Sequence, residues 1–306
     1  MNAPFSAPLS AGLETLLASQ LEQHPVHTET IEFSAGGVDF GGFVARPGGS
    51  AVGGDGAGAG DGAGAASGTG AGAPEGPEAP EAPEAPEGPA AELLPAVLII
   101  SDWTGLNDHA RVRATMLARL GYIGLAGDVY GGGAQLPPDQ AGAAAGKFYG
   151  DPALFRERMQ ANLEQLRALP GVDPDRLAVM GYCFGGSASL ELARTGAELA
   201  GVVSFHGRLQ SGIPAAEGDI RTPVLVLTGA SDPVVPDASV LAFENEMREA
   251  AAADWQVVSY SGAMHAFTMP DANSPDHGAA FDARANARSW SAMRTFFDEI
   301  FTPAAA

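Results

Sequence analysis

The 306-residue chain carries a formal net charge of -21 and a single cysteine, Cys183. Such a charge excludes nucleic acid and anionic membrane surfaces as partners, because the molecular field repels phosphates over most of the surface, and one cysteine excludes an internal disulfide framework. The longest apolar strand-like run, 96–100, is far too short for a bilayer, and residues 1–20 lack the basic start and apolar stretch of a secretion signal, so a soluble cytoplasmic protein is expected.

In chain order, residues 1–26 read as an N-terminal segment. Partial alternation at 27–33 and 38–45, joined by Ala35-Gly36-Gly37, predicts a β-hairpin. Residues 48–92 are almost entirely Gly, Ala, Pro and Glu, with a repeated Ala-Pro-Glu unit. Nothing there offsets the entropy of ordering the chain, so a flexible acidic insert is expected, interrupting a single domain over 27–306. Without the insert about 260 residues remain, the size of one α/β domain. Strands are predicted at 96–100, 123–126, 177–180, 201–205, 224–227 and 255–260, and helices at 111–120, 155–169, 187–194, 238–252 and 283–301. Alternation of this kind specifies an α/β fold with a mostly parallel central sheet, helices on both faces, and the N-terminal antiparallel hairpin at one edge. Ligands of such sheets bind beyond the carboxyl ends of the strands.

The strand at 177–180 leads into Gly181-Tyr182-Cys183-Phe184-Gly185-Gly186. Glycines two positions to either side of the cysteine let a strand and a helix pass closely at a sharp turn, the pattern of a nucleophile elbow. A buried structural cysteine in a plain turn is the alternative. Asp232 comes after the strand at 224–227, and His265 after the strand at 255–260. Nucleophile, acid and histidine thus stand in the chain order of α/β-hydrolase triads, each after a separate strand. His265 suits the base for Cys183, and Asp232 suits the group that orients it. Alone, Asp232 in Ser231-Asp232-Pro233 also reads as a turn starter, and His265 as a buried structural histidine. An acyl-transfer site needs two backbone donors for the oxyanion. Phe184, after the nucleophile, and Trp103, in the loop after 96–100, are the candidates, with a pocket wall as the other reading of Trp103.

With these residues the chain resembles the dienelactone hydrolase (carboxymethylenebutenolidase) family of the α/β-hydrolase superfamily. The resemblance runs over about 96–301 and rests on the elbow, Asp128-Val129-Tyr130, Ser204-Phe205-His206-Gly207, Ser231-Asp232-Pro233 and Met264-His265-Ala266-Phe267. It implies hydrolysis of lactones or esters by acyl transfer to cysteine, without metal or organic cofactor, in a monomer or small homo-oligomer acting on a small-molecule substrate. It also implies that Asp102 stands where an acidic residue, usually glutamate, tunes the nucleophile. His206 is typical of this branch and reads either as pocket lining or as packing. Met269 occupies a position where an arginine binds a substrate carboxylate, a departure that points to a neutral ester or lactone.

Two further readings use the same residues: a broad carboxylesterase or thioesterase, and a noncatalytic binding or redox-sensing protein in which Cys183 is oxidised. The triad order argues against the latter. No two histidines have the helical spacing of a metal site, His109 and Asp108 read as the opening of a helix capped by Asn107 or Asp108, and Gly131-Gly132-Gly133 lacks the lysine of a phosphate loop.

Overall fold

The computed structural model describes residues 5, 8–48 and 92–302. Nearly all of the predicted insert therefore lies outside the described residues. The elements in chain order are α1 (Ala11–Ser19), β1 (Val26–Ala35), β2 (Val38–Pro47), β3 (Leu94–Ile100), α2 (Asp108–Arg119), β4 (Ile123–Gly127), α3 (Pro138–Gly150), α4 (Pro152–Ala168), β5 (Val172–Tyr182), α5 (Phe184–Ala193), β6 (Gly201–Phe205), β7 (Val224–Gly229), α6 (Asp237–Glu249), β8 (Trp255–Tyr260), β9 (Asn273–Ser274), β10 (Ala279–Ala280) and α7 (Ala283–Phe301). Among the described residues no helix is long and apolar enough to cross a membrane.

The hairpin forms where alternation predicts it. Gly36 and Gly37 both take positive φ, 57° and 76°, so a two-residue turn can match the twist of the flanking strands. The large sheet has the order β1-β2-β4-β3-β5-β6-β7-β8, antiparallel from β1 to β4 and parallel from β4 to β8. Successive residues of β3 serve opposite faces. Val97 and Ile99 pack with Leu117 of α2 and Phe297 of α7, whereas Leu98 and Ile100 pack with Leu163 of α4 and Leu192 of α5. β3 is therefore apolar throughout, as a parallel strand covered on both faces is expected to be.

Caps place the helices. Asn107 accepts the Ala110 N–H at 3.2 Å to begin α2, Asp151 accepts that of Leu154 at 3.0 Å to begin α4, and Asp282 accepts that of Ala285 at 2.8 Å to begin α7. Two helices have no counterpart in the sequence expectation. α1 spans only nine residues, and α3 is rich in Ala and Gly, burying only Ala141, Ala145 and Phe148, so its periodic apolar signal is weak. The strand expected at 177–180 is also longer. β5 begins at Val172 because Leu94 pairs with Val172 before a register shift brings Ala96 opposite Leu177.

Candidate active site

The carboxyl ends of β3, β5, β6, β7 and β8 form one edge of the sheet, and the site is assembled from residues in the segments leaving those ends. β5 turns directly into α5 at Cys183, whose φ of 55° and ψ of -112° lie where a side-chain-bearing residue is strained. The flanking glycines permit the turn: a Cβ at Gly181 would overlap the Gly185 carbonyl, and one at Gly185 would overlap the carbonyls of Ile100 and Ser101. α5 starts immediately, its first backbone bond running from the Ser187 N–H to the Cys183 carbonyl at 3.1 Å. Of the four non-glycine residues with positive φ among the described residues, Cys183, His206 and Ala266 border this site.

Cys183, His265 and Asp232 come together. His265 Nε2 lies 3.1 Å from Cys183 Sγ, and His265 Nδ1 lies 2.8 Å from Asp232 Oδ2. An ionised carboxylate only accepts, so Nδ1 carries a proton and Nε2 faces the sulfur, within reach of a proton shared with it. Burial alone would lower the pKa of His265. The Asp232 hydrogen bond, together with the bond to Cys183 and the charges of both partners, outweighs it and pushes the imidazole up to about 10. Asp232 Oδ1 meanwhile accepts the N–H groups of Val234 and Val235 at 2.8 and 3.2 Å, so one carboxylate both holds a turn and reaches His265. The His265 backbone is held by Gly278, whose carbonyl accepts its N–H at 2.9 Å, and by Ala280, which donates to its carbonyl at 3.0 Å.

These groups open into a cavity of about 720 Å³ whose walls include Asp102, Trp103, His109, Cys183, His265 and Met269. Trp103 thus lines the cavity, and its carbonyl accepts the Tyr130 hydroxyl at 2.7 Å. Phe184 has its ring in the core, and as the first residue of α5 its N–H has no acceptor within the helix. Asp102 also borders the cavity, but its oxygens are engaged: Oδ1 accepts the Thr104 N–H at 2.8 Å and hydroxyl at 2.6 Å, and Oδ2 accepts Asn107 Nδ2 at 3.0 Å. Burial raises its pKa against the opposing effect of those bonds. His206 occupies a packing position. It is fully buried, with Nε2 2.7 Å from Thr268 Oγ1 and its ring against His265 at 5.3 Å between centroids. Burial first, then the charge of His265, holds His206 well below the ordinary imidazole range.

Three contributors have no role in the sequence expectation. Ser10 and Leu13 of the N-terminal region reach the cavity wall; the Leu13, Leu16, Leu17 spacing after a capping serine is the signal that marks their helix. Arg113 is buried and ties three elements together. Its Nε donates to His109 Nε2 at 3.3 Å, and its Nη2 donates to the Thr268 carbonyl at 3.3 Å and to Asn286 Oδ1 at 2.7 Å. The rings of Tyr182 and Trp290 flank its guanidinium at 5.3 and 4.9 Å. No local pattern distinguishes this arginine from a solvated one. Among the described residues, no group of three or more His, Cys, Asp and Glu is arranged to hold a metal ion.

The sequence profile of the Dienelactone hydrolase family matches residues 85–301. An uncharacterized protein of Caenorhabditis elegans is 38% identical over 151 residues, covering 48% of this chain and 94% of its own length. A putative carboxymethylenebutenolidase of Synechocystis is 27% identical over 224 residues, covering 66% of this chain and 85% of its own length. Among solved structures, the dienelactone hydrolase-like promiscuous phosphotriesterase P91 from metagenomic libraries superposes with a TM-score of 0.72 at 34% identity, covering 90% of this chain and 99% of that one.

Proposed function

This chain belongs to the dienelactone hydrolase family, and from that premise we propose that Cys183, His265 and Asp232 hydrolyse an uncharged carboxylic ester or lactone through a thiolester acyl-enzyme. The observation that carries this reading is the chain of hydrogen bonds, 3.1 Å from sulfur to imidazole and 2.8 Å from imidazole to carboxylate, opening on one cavity. With the proton held on His265 Nε2, Cys183 Sγ attacks the carbonyl carbon. The carbonyl oxygen takes up the negative charge and is received by the N–H groups of Phe184 and Trp103. The C–O bond to the leaving group then breaks, and the alkoxide takes the proton from His265. Water, deprotonated by His265, attacks the thiolester, releases the acid and restores the thiol. Asp232 keeps the imidazole in its productive tautomer throughout.

The charge of the substrate is set by the walls. The cavity is bordered by Asp102, Asp108 and Asp271, with neither arginine nor lysine among the described residues that line it, and Met269 borders it as well. An anionic lactone would meet these carboxylates with no arginine or lysine beside it, whereas a neutral ester carries no such penalty. The reading goes with a cytoplasmic protein, alone or as a small homo-oligomer, working without metal or organic cofactor. The likeness to P91 favours a second reading, an uncharged phosphotriester turned over at the same site.

The test is hydrolysis of a dienelactone, an aryl ester, an acyl thioester and an aryl phosphotriester by the parent and by Cys183→Ala. Loss of at least about 1000-fold in the variant is expected for any member the parent turns over. Activity that survives the substitution overturns the proposed nucleophile. The preferred member distinguishes lactonase, esterase, thioesterase and phosphotriesterase.

A further inference from the structure

α1 lies directly on the segment C-terminal to His265. A Cβ on Gly12 would sit 2.7 Å from Pro270 Cβ and 2.9 Å from Asp271 Oδ1, so only glycine allows this approach without displacement. The helix is tied at both ends. At its start, Ser10 Oγ accepts the Leu13 N–H at 3.2 Å and donates to Asp271 Oδ2 at 2.7 Å. At its end, Arg119 Nη1 donates to the carbonyls of Leu17 and Gln20 at 2.6 and 3.1 Å, while Gln20 Oε1 accepts Trp290 Nε1 at 3.2 Å. Between these ties Leu13, 8% exposed, borders the same cavity as Cys183, His265 and Met269. A helix anchored in this way is a fixed wall, and the side chain it presents to the cavity is apolar.

We propose that α1 is the selectivity element of this site, with Leu13 setting the size of the apolar group that the substrate places against the α1 side of the cavity. The inference rests on the reading of the cavity as the site of acyl transfer to Cys183. A hydrophobic wall discriminates by methylene count, each group gained or lost changing kcat/KM by about tenfold or more. The preferred chain length is therefore a property of residue 13, while the chemical step is not.

The experiment compares kcat/KM of the full-length parent, Leu13→Ala and Leu13→Phe over two homologous sets, p-nitrophenyl esters of acyl chains from two to eight carbons and acetates of alcohols over the same range. Leu13→Ala is expected to move the optimum toward longer chains in one set, changing the ratio of longest to shortest by about tenfold, and Leu13→Phe to move it the other way. In both, the two-carbon ester is the reference for each ratio. Leu13→Val, one methylene smaller, takes the place of Leu13→Ala if that variant fails to fold, with a smaller displacement in the same direction. The same factor at every chain length in both sets overturns the proposal and assigns Leu13 to packing alone. Cys183→Ala, run beside them, tests the underlying reading separately: activity that persists there with an unchanged chain-length profile overturns the nucleophile and leaves α1 as the wall. A parent inert toward every member overturns both.

Discussion

At the level of single residues, Asp232 divides its two oxygens between Oδ1, which holds the turn through Val234 and Val235, and Oδ2, which holds His265. That second bond has a consequence for stability. His265 is raised from an ordinary value of 6.5 to about 10, so between those values the folded protein keeps a proton that the unfolded chain releases. The contribution is therefore complete below about pH 6.5 and is lost as the pH rises toward about 10. Urea unfolding at intervals from pH 6 to pH 10 is expected to show this decline in the parent and a flatter profile in Asp232→Asn, which lacks the carboxylate. An unchanged profile in the variant would remove Asp232 as the main cause. His206 contributes differently, as a neutral ring buried against the imidazole. Its partner Thr268 also receives Arg113 through its carbonyl, which connects the His265 segment to α2 and α7.

Among the elements, the β5-to-α5 junction is the least tolerant of change. A methyl group on Gly185 would overlap the backbone carbonyls of Ile100 and Ser101, which lie at the end of a central strand and have no room to yield. Gly185→Ala is expected to cost on the order of 3 kcal/mol or more, or to prevent accumulation of folded protein. Gly146 of α3 is the matched control, since nothing lies within 4 Å of a Cβ placed there. In an exposed helix interior, Gly146→Ala should stabilise by roughly 0.5 to 1 kcal/mol. Thermal unfolding of the two variants side by side checks both expectations, and similar shifts would contradict the close-packing argument. The junction was legible because its glycines, its cysteine and the flanking apolar run are adjacent in sequence. α3 was not, because a helix of small residues has little hydrophobic periodicity to read.

For the whole molecule, the acidic segment separates β2 from β3, and these strands do not pair with each other; β4 lies between them. Deleting residues 50–90, outside the described residues, is expected to leave unfolding and kcat/KM nearly unchanged, because the entropy of closing a loop varies slowly with its length. A large loss of activity would instead bring the segment into the site. The sequence alone determined the α/β class, the hairpin at the sheet edge, the elbow at Cys183, and the order of cysteine, aspartate and histidine after three separate strands. All of these are local patterns, in which side-chain period, turn glycines and the residue just past a strand carry the information over a few positions. Tertiary structure alone decided that Ser10 meets Asp271 across 261 positions and that Arg113 meets Asn286 across 173. It also decided that Leu13 reaches the cavity of Cys183. Such contacts depend on how helices seat on the finished sheet, where close packing selects partners by shape, and no spacing within the chain encodes that choice.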